Sequence, residues 1–149
     1  MVSTIILTGA LIVTPRVIVF LDDMQIESWV RQVAADLRYT QQSAISKQKC
    51  YKFEIKLDGW DYYIFEQTTI SPYWLQVQHK KLDEHIVFHT ATLPAPGFID
   101  SSSPNKAIDF DALGAPMPFA GGTITLQHRD SGLTQNISIT NVTGKVEIQ

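Results

Sequence analysis

From Val17 to Gln48 the chain carries neither glycine nor proline, and the apolar run Val2 to Leu21 enters that stretch without a turn signal. An unbroken stretch of this kind reads as one helix of about 45 residues, kinked at Pro15, where a backbone hydrogen bond is lost. At ~1.5 Å per residue its length approaches 70 Å. A chain of 149 residues cannot enclose such a rod, so half of it must protrude.

The two halves of the rod differ in chemistry. Residues 1–21 carry Val2, Ile5, Ile6, Leu7, Leu11, Ile12, Val13, Pro15, Val17, Ile18, Val19 and Phe20, an apolar half expected to lie in a membrane or among like helices. No basic residue precedes the run and no small-residue cleavage site follows it, so it reads as a retained anchor. Its uninterrupted part, Val2 to Val13, falls short of the roughly 20 residues that span a bilayer core. Over residues 22–48, Ile26, Val30, Val33, Leu37, Thr40 and Ala44 recur at alternate spacings of four and three, while Asp22, Asp23, Glu27, Arg31, Asp36 and Arg38 take the other faces. This is an amphipathic helix, expected to pack Ile26, Val30, Val33, Leu37 and Ala44 against a head.

After Lys49 the period changes to two. Tyr51, Phe53, Ile55 and Leu57 alternate with Lys52, Glu54 and Lys56, a strand with one wet face, and Asp58-Gly59 signals a hairpin into Trp60–Thr68. Further strands are expected near Trp74–Leu82, His85–Thr92, Ala107–Asp111, Thr123–His128, Gln135–Thr140 and Lys145–Ile148. Leu93 to Asn105 and Gly114 to Gly122 are breaker-rich loops. The expected class is α+β: a long N-terminal helix packed on an antiparallel sheet domain of seven to eight strands. Residues 1–48 form the helix and 49–149 the β-rich head, together one domain.

Residues 50–149 hold seven Lys or Arg against eleven Asp or Glu, a formal net of −4 with no basic cluster, so nucleic acid is an unlikely partner. Cys50 is the single cysteine and excludes an intramolecular disulfide; it reads as a buried, inert thiol. Catalytic signatures are missing: there is no G-x-S-x-G elbow, phosphate-binding glycine loop, H-E-x-x-H or cysteine pair. No enzyme activity, cofactor or metal is expected. His85 and His89 share a face of one predicted strand, but Ile86 and Phe88 claim the buried side, leaving the histidines in water. Asp109 and Asp111 read as a solvated strand face rather than an acid–base pair or calcium site. Ser101-Ser102-Ser103 is a loop tip, and Asn136-Ile137-Ser138 and Asn141-Val142-Thr143 match glycosylation sequons. The aromatics Trp60, Tyr62, Tyr63, Phe65, Tyr73 and Trp74 read as core and cross-strand pairs, without the flanking bases of a nucleic-acid platform.

Several segments in order resemble one family. The apolar helix Ile5 to Pro15, the helix end Asp36-Leu37-Arg38-Tyr39-Thr40-Gln41-Gln42-Ser43-Ala44-Ile45, the stretch Ile108-Asp109-Phe110-Asp111-Ala112-Leu113-Gly114, and the closing strands Gly122–Leu126, Ile137–Ile139 and Thr143–Val146 are similar to minor pseudopilins and minor type IV pilins of the GspH/FimT type. The resemblance implies a non-enzymatic subunit of a type II secretion or type IV pilus-like machine. It would be held in the bacterial inner membrane by one helix, head outward, before assembly into a fibre. Its partners would be other pilins or pseudopilins, the inner-membrane assembly platform and membrane lipid. Family precursors carry a basic leader, a glycine cleavage point and a start resembling F-T-L-I-E; this chain opens Met1-Val2-Ser3-Thr4, so it is expected to begin several residues late. The alternative is a DNA-binding minor pilin of natural transformation, whose relatives use a basic G-R-x-R-like C-terminus where this chain has Gly144-Lys145-Val146-Glu147. A membrane-tethered β-domain with enzymatic or sugar-binding activity would rest on the aromatics and paired carboxylates.

Overall fold

The computed structural model describes residues 2–57, 59–69, 73–93, 105–117 and 121–149, with side chains from residue 18 onward. One helix, α1, runs from Val2 to Lys47, and it continues past Pro15. Its end is built from hydrogen bonds rather than from a glycine. Gln48 takes a left-handed conformation (φ 54°), its N–H donates to the Ile45 carbonyl at 3.4 Å, and the Lys49 N–H donates to the Ala44 carbonyl at 3.2 Å. That paired geometry satisfies two carbonyls that the last turn leaves open.

Ile18, Val19, Phe20, Leu21 and Met24 are exposed around the helix circumference, and the buried stripe begins at Ile26. From there Ile26, Val30, Val33, Leu37, Thr40 and Ala44 are fully buried, joined by Ala34. The Thr40 hydroxyl turns back to the Asp36 carbonyl at 2.7 Å, so a polar residue on the stripe carries its own acceptor.

Nine strands are present among the described residues, in two antiparallel sheets. The first sheet runs β3 (Trp74–Lys81), β2 (Asp61–Gln67), β1 (Tyr51–Lys56), β5 (Asn105–Phe110), β6 (Pro116–Met117). The second runs β4 (Ile86–Ala91), β7 (Gly122–His128), β8 (Thr134–Ile139), β9 (Val146–Ile148). The strand beyond the expected seven or eight is β6, two residues inside the breaker-rich stretch and too short to show a period. Asp58 and the predicted loop residues 94–104, Ser101–Ser103 included, lie outside the described residues.

Alternation fills the core. Tyr51, Phe53, Ile55, Tyr62 and Ile64 from the first sheet meet Ile86, Phe88, Ile124, Leu126, Ile137 and Val146 from the second, with the helix stripe against both. Tyr62 stands at the seam, 5.3 Å from Phe53 and edge-on to Phe88 at 5.9 Å. The sheets also join at the β1–β2 hairpin, where Gly59 accepts from the Phe88 N–H and Trp60 from the Leu82 N–H.

The opposite face of the first sheet departs from the expected wet surface. Lys52 is fully buried, its Nζ 4.0 Å from the Trp74 ring centroid and without a hydrogen-bond acceptor among the described residues. Burial pushes its ammonium down from the ordinary lysine range. Its cross-strand partner is Asp109, whose Oδ1 is buried and unpaired and whose carboxyl burial pushes up to about 6. Asp109 and Asp111 therefore do not form one solvated pair. Asp111 has left the strand and accepts the Leu113 and Ala115 N–H groups at 2.9 and 2.8 Å.

A carboxyl raised in the fold favours the folded state below the ordinary carboxylate range, and that contribution is lost as pH climbs through about 6. Asp109→Asn is expected to raise stability at pH 7 by about 1–3 kcal/mol while matching the parent near pH 4. Urea unfolding at the two pH values measures the difference.

Candidate functional site

The chemistry-bearing residues gather where the helix meets the head. Asp36, one turn before Thr40, projects from α1 toward the first sheet and is nearly buried. Lys80 of β3 holds both its oxygens, at 2.7 and 2.8 Å, and the Tyr62 hydroxyl donates to Oδ2 at 2.6 Å. Gln32 adds a longer bond at 3.3 Å from the preceding helical turn. Burial, reinforced by the Asp36 carboxylate, pushes the Tyr62 phenol far above its ordinary range, so it remains a donor.

The same helix is tied to the second sheet. Arg38 donates from Nη2 to the Val146 carbonyl of β9 at 3.0 Å. Gln41 donates twice from one Nε2, to the Gly114 carbonyl at 2.7 Å and the Thr143 carbonyl at 2.9 Å. It thereby joins the β5–β6 turn to the β8–β9 turn. Both turns require glycine. Gly114 has φ 80° and a Cβ there would stand 2.7 Å from the Ile45 side chain; Gly144 has φ 66° and a Cβ there would stand 2.8 Å from Gln41 Nε2. Between them Val142 sits at φ 70°, an unusual conformation for a β-branched residue, as the middle of a turn closed by the Thr143 N–H on the Asn141 carbonyl.

At the other end of the seat, His128 of β7 is buried against the helix. Its Nε2 lies 3.3 Å from Gln25 Oε1 and 3.7 Å from Asp22 Oδ1, and Nδ1 accepts the Ser131 N–H. The His85 ring lies parallel to it at 6.0 Å and is exposed; hydrogen bonding to Asp130 raises the His85 pKa above the ordinary value. His85 precedes β4, and a register shift between Phe88 and Thr90 breaks the alternation that paired His85 with His89. No group of three potential metal ligands occurs among the described residues.

Beyond the helix end, Glu66 collects Lys49, the Tyr51 hydroxyl and Lys47. Lys49 first, then Tyr51, hold its carboxyl down at about 2. An open cleft of about 590 Å³ lies beside it, lined by Gln48, Cys50, Thr68, Tyr73 and Ala112 among others. Cys50 is half-buried, and burial pushes its thiol up, away from the reactive thiolate. Of the predicted aromatics, Tyr62 is core, Trp60, Tyr63, Phe65 and Trp74 are half-buried, and Tyr73 is exposed. Tyr63 stacks on His79 at 4.6 Å, and Trp60 has Lys81 and Arg129 about its ring. The basic position of the closing segment is answered within the chain, since Lys145 pairs with Glu147 at 2.5 Å.

The seat residues Ile26, Val30, Val33, Leu37 and Ala44 are all buried, whereas Ile18, Val19 and Phe20 of the apolar half are exposed. The side chains of Val2, Ile5, Ile6, Leu7, Leu11, Ile12, Val13, Pro15 and Val17 lie outside the described residues. No helix segment among the described residues is long and apolar enough to cross a membrane. Asp36, Arg38, Gln41 and Lys80 were not singled out by the sequence reading; the first two fell on the faces read as wet, and their partners lie many residues away.

Comparison with known proteins follows the same residues. A family model described as type II transport protein GspH matches residues 30–143, a span that holds most of the seat and the Gly114 turn and ends one residue before Gly144. No curated protein sequence matches the chain. Among solved structures, the minor pseudopilin EpsH from the type 2 secretion system of Vibrio cholerae superposes with a TM-score of 0.65 at 11% identity, covering 84% of this chain and 96% of that one. The type IV minor pilin FimU of Pseudomonas aeruginosa superposes with a TM-score of 0.61 at 14% identity, covering 87% of this chain and 92% of that one. At those identities the likeness is one of fold.

Asp36→Ala leaves the Tyr62 hydroxyl buried without its acceptor and frees Lys80, which is one-third exposed and can turn to water. The expected cost is about 2–3 kcal/mol, less than additive with Tyr62→Phe in a double-mutant cycle read by urea unfolding. Gly144→Ala is expected to cost at least about 1–2 kcal/mol, since it combines a left-handed backbone with contact on Gln41.

Proposed function

The chain belongs to the GspH family, and from that premise we propose that it works as a non-enzymatic minor pseudopilin or pilin subunit of a type II secretion or type IV pilus-like machine. The observation that carries the reading is the abrupt change along α1. Ile18, Val19, Phe20, Leu21 and Met24 are exposed on all sides, and two residues past Met24 the stripe from Ile26 is sealed against the head. Exposed apolar surface of that extent on a helix requires lipid or other apolar helices around it.

The apolar half, residues 1–21, then holds the subunit in the inner membrane as a single helix, with the head on the outer side. Transfer from lipid into a fibre of like helices exchanges one apolar environment for another, so the net change in burial is small and assembly is reversible. Arg16 can extend its guanidinium to the membrane interface along an apolar stem. Other pilins or pseudopilins and the inner-membrane assembly platform are the partners. The amphipathic half, 22–48, and the head, 49–149, act as one domain, with the Asp36, Arg38 and Gln41 contacts keeping stem and head in fixed relation. DNA uptake is not favoured, because the closing segment carries a single base, Lys145, and it pairs with Glu147.

In cells of the native host the chain is expected in membrane and fibre fractions. Phe20→Asp, at an exposed position, is expected to leave thermal unfolding of the head unchanged and to lower the amount of the chain in the fibre fraction several-fold. A parent chain that stays in the soluble fraction contradicts the reading.

A further inference from the structure

The free edge of the first sheet is β3, hydrogen-bonded to β2 on one side and, among the described residues, to no strand on the other. It differs from the other sheet edges among the described residues. On the far side of the same sheet, β6 is two residues long. In the second sheet, β9 has three residues and gives its Val146 carbonyl to Arg38, while β4 is tied at Phe88 to the Gly59 carbonyl of the β1–β2 hairpin. β3 runs eight residues with no such cover among the described residues.

Edges of that length are normally protected by charge, proline or irregular geometry. Here the first half is apolar and open: Leu75 is 58% exposed, Val77 37%, and Tyr73, just before the strand, 67%. The second half is basic, with His79, Lys80 and Lys81. Two of these are answered, His79 by Asp61 at 3.0 Å and Lys80 by Asp36. Lys81 has no carboxylate within 4 Å among the described residues; it lies over the Trp60 ring at 5.1 Å. The edge therefore presents an apolar end and a positive end, separated by a bulge at Val77, which has no register partner on β2.

We propose that β3 is a docking edge for a strand of a different pilin-like subunit, added antiparallel, apolar where it meets Leu75 and acidic where it meets Lys81. The proposal rests on the fibre-subunit reading. Main-chain hydrogen bonds to the open N–H and C=O groups would supply affinity, and the two chemically distinct ends would fix register and direction. The bulge divides the edge, so the incoming strand pairs with Trp74–Gln76 on one side and Gln78–Lys81 on the other. Pairing with a second copy would bring the basic end of each strand to the aromatic end of the other and leave Lys81 without an acid.

Hydrogen exchange of the full chain, free in detergent and incorporated in native fibres, tests this. The β3 amides that do not pair with β2 are expected to exchange about tenfold or more slowly in the fibre. Val77→Lys and Lys81→Glu are each expected to lower incorporation several-fold without changing thermal unfolding. A chain that enters fibres with those amides as fast as in the free protein overturns the proposal and leaves the fibre reading standing. A chain that never enters fibres overturns both. Slow exchange that arises instead from a concentration-dependent homodimer overturns the choice of partner.

Discussion

Everything in this molecule is referred to one apolar stripe on one helix. Ile26, Val30, Val33, Leu37 and Ala44 lie along the line where the two sheets meet, and no second helix covers the inner faces among the described residues. Remove that contact and Phe53, Tyr62, Phe88 and Leu126 face water together, a loss far larger than any single polar bond in the fold can offset. Burial is non-directional, however, and a smooth stripe can slide or rotate. The Asp36, Arg38 and Gln41 contacts supply the direction. Each leaves the helix toward a different part of the head: β3 and β2, β9, and the two glycine turns.

That division of labour explains what could be read from the sequence and what could not. The stripe was legible because its period is a local property: six apolar or small residues at spacings of four and three mean a helix face whatever lies opposite. The strands were legible for the same reason, down to the hairpin at Gly59. Asp36 was not, because a carboxylate between two stripe positions looks like any solvated helix residue until Lys80, forty-four positions later, reaches it. Lys52 misled in the opposite direction. Its alternation correctly assigned it to the outer face, but the Trp74 ring that covers it comes from a strand two places away in the sheet. Gln48 ends a helix with a left-handed turn that sequence associates with glycine, and only its paired carbonyl bonds reveal why it is tolerated there.

The resemblance segments acquire a physical meaning from this geometry. The helix end carrying Gln41, the stretch ending at Gly114 and the segment Thr143–Val146 are far apart in the chain yet converge on one side-chain amide. Their order in the sequence is the order in which the chain returns to the helix.

The central claim is that the helix from Ile26 onward and the two sheets unfold as one cooperative unit. Urea unfolding of the chain with the helix tryptophan removed (Trp29→Phe), followed in parallel by the far-ultraviolet dichroism of the helix and by the fluorescence of Trp60 and Trp74 at the first sheet, tests it directly. The account predicts coincident transitions, shifted together to lower urea by Asp36→Ala. Helical signal lost at a lower urea concentration than the sheet fluorescence, in the Trp29→Phe chain, would contradict it.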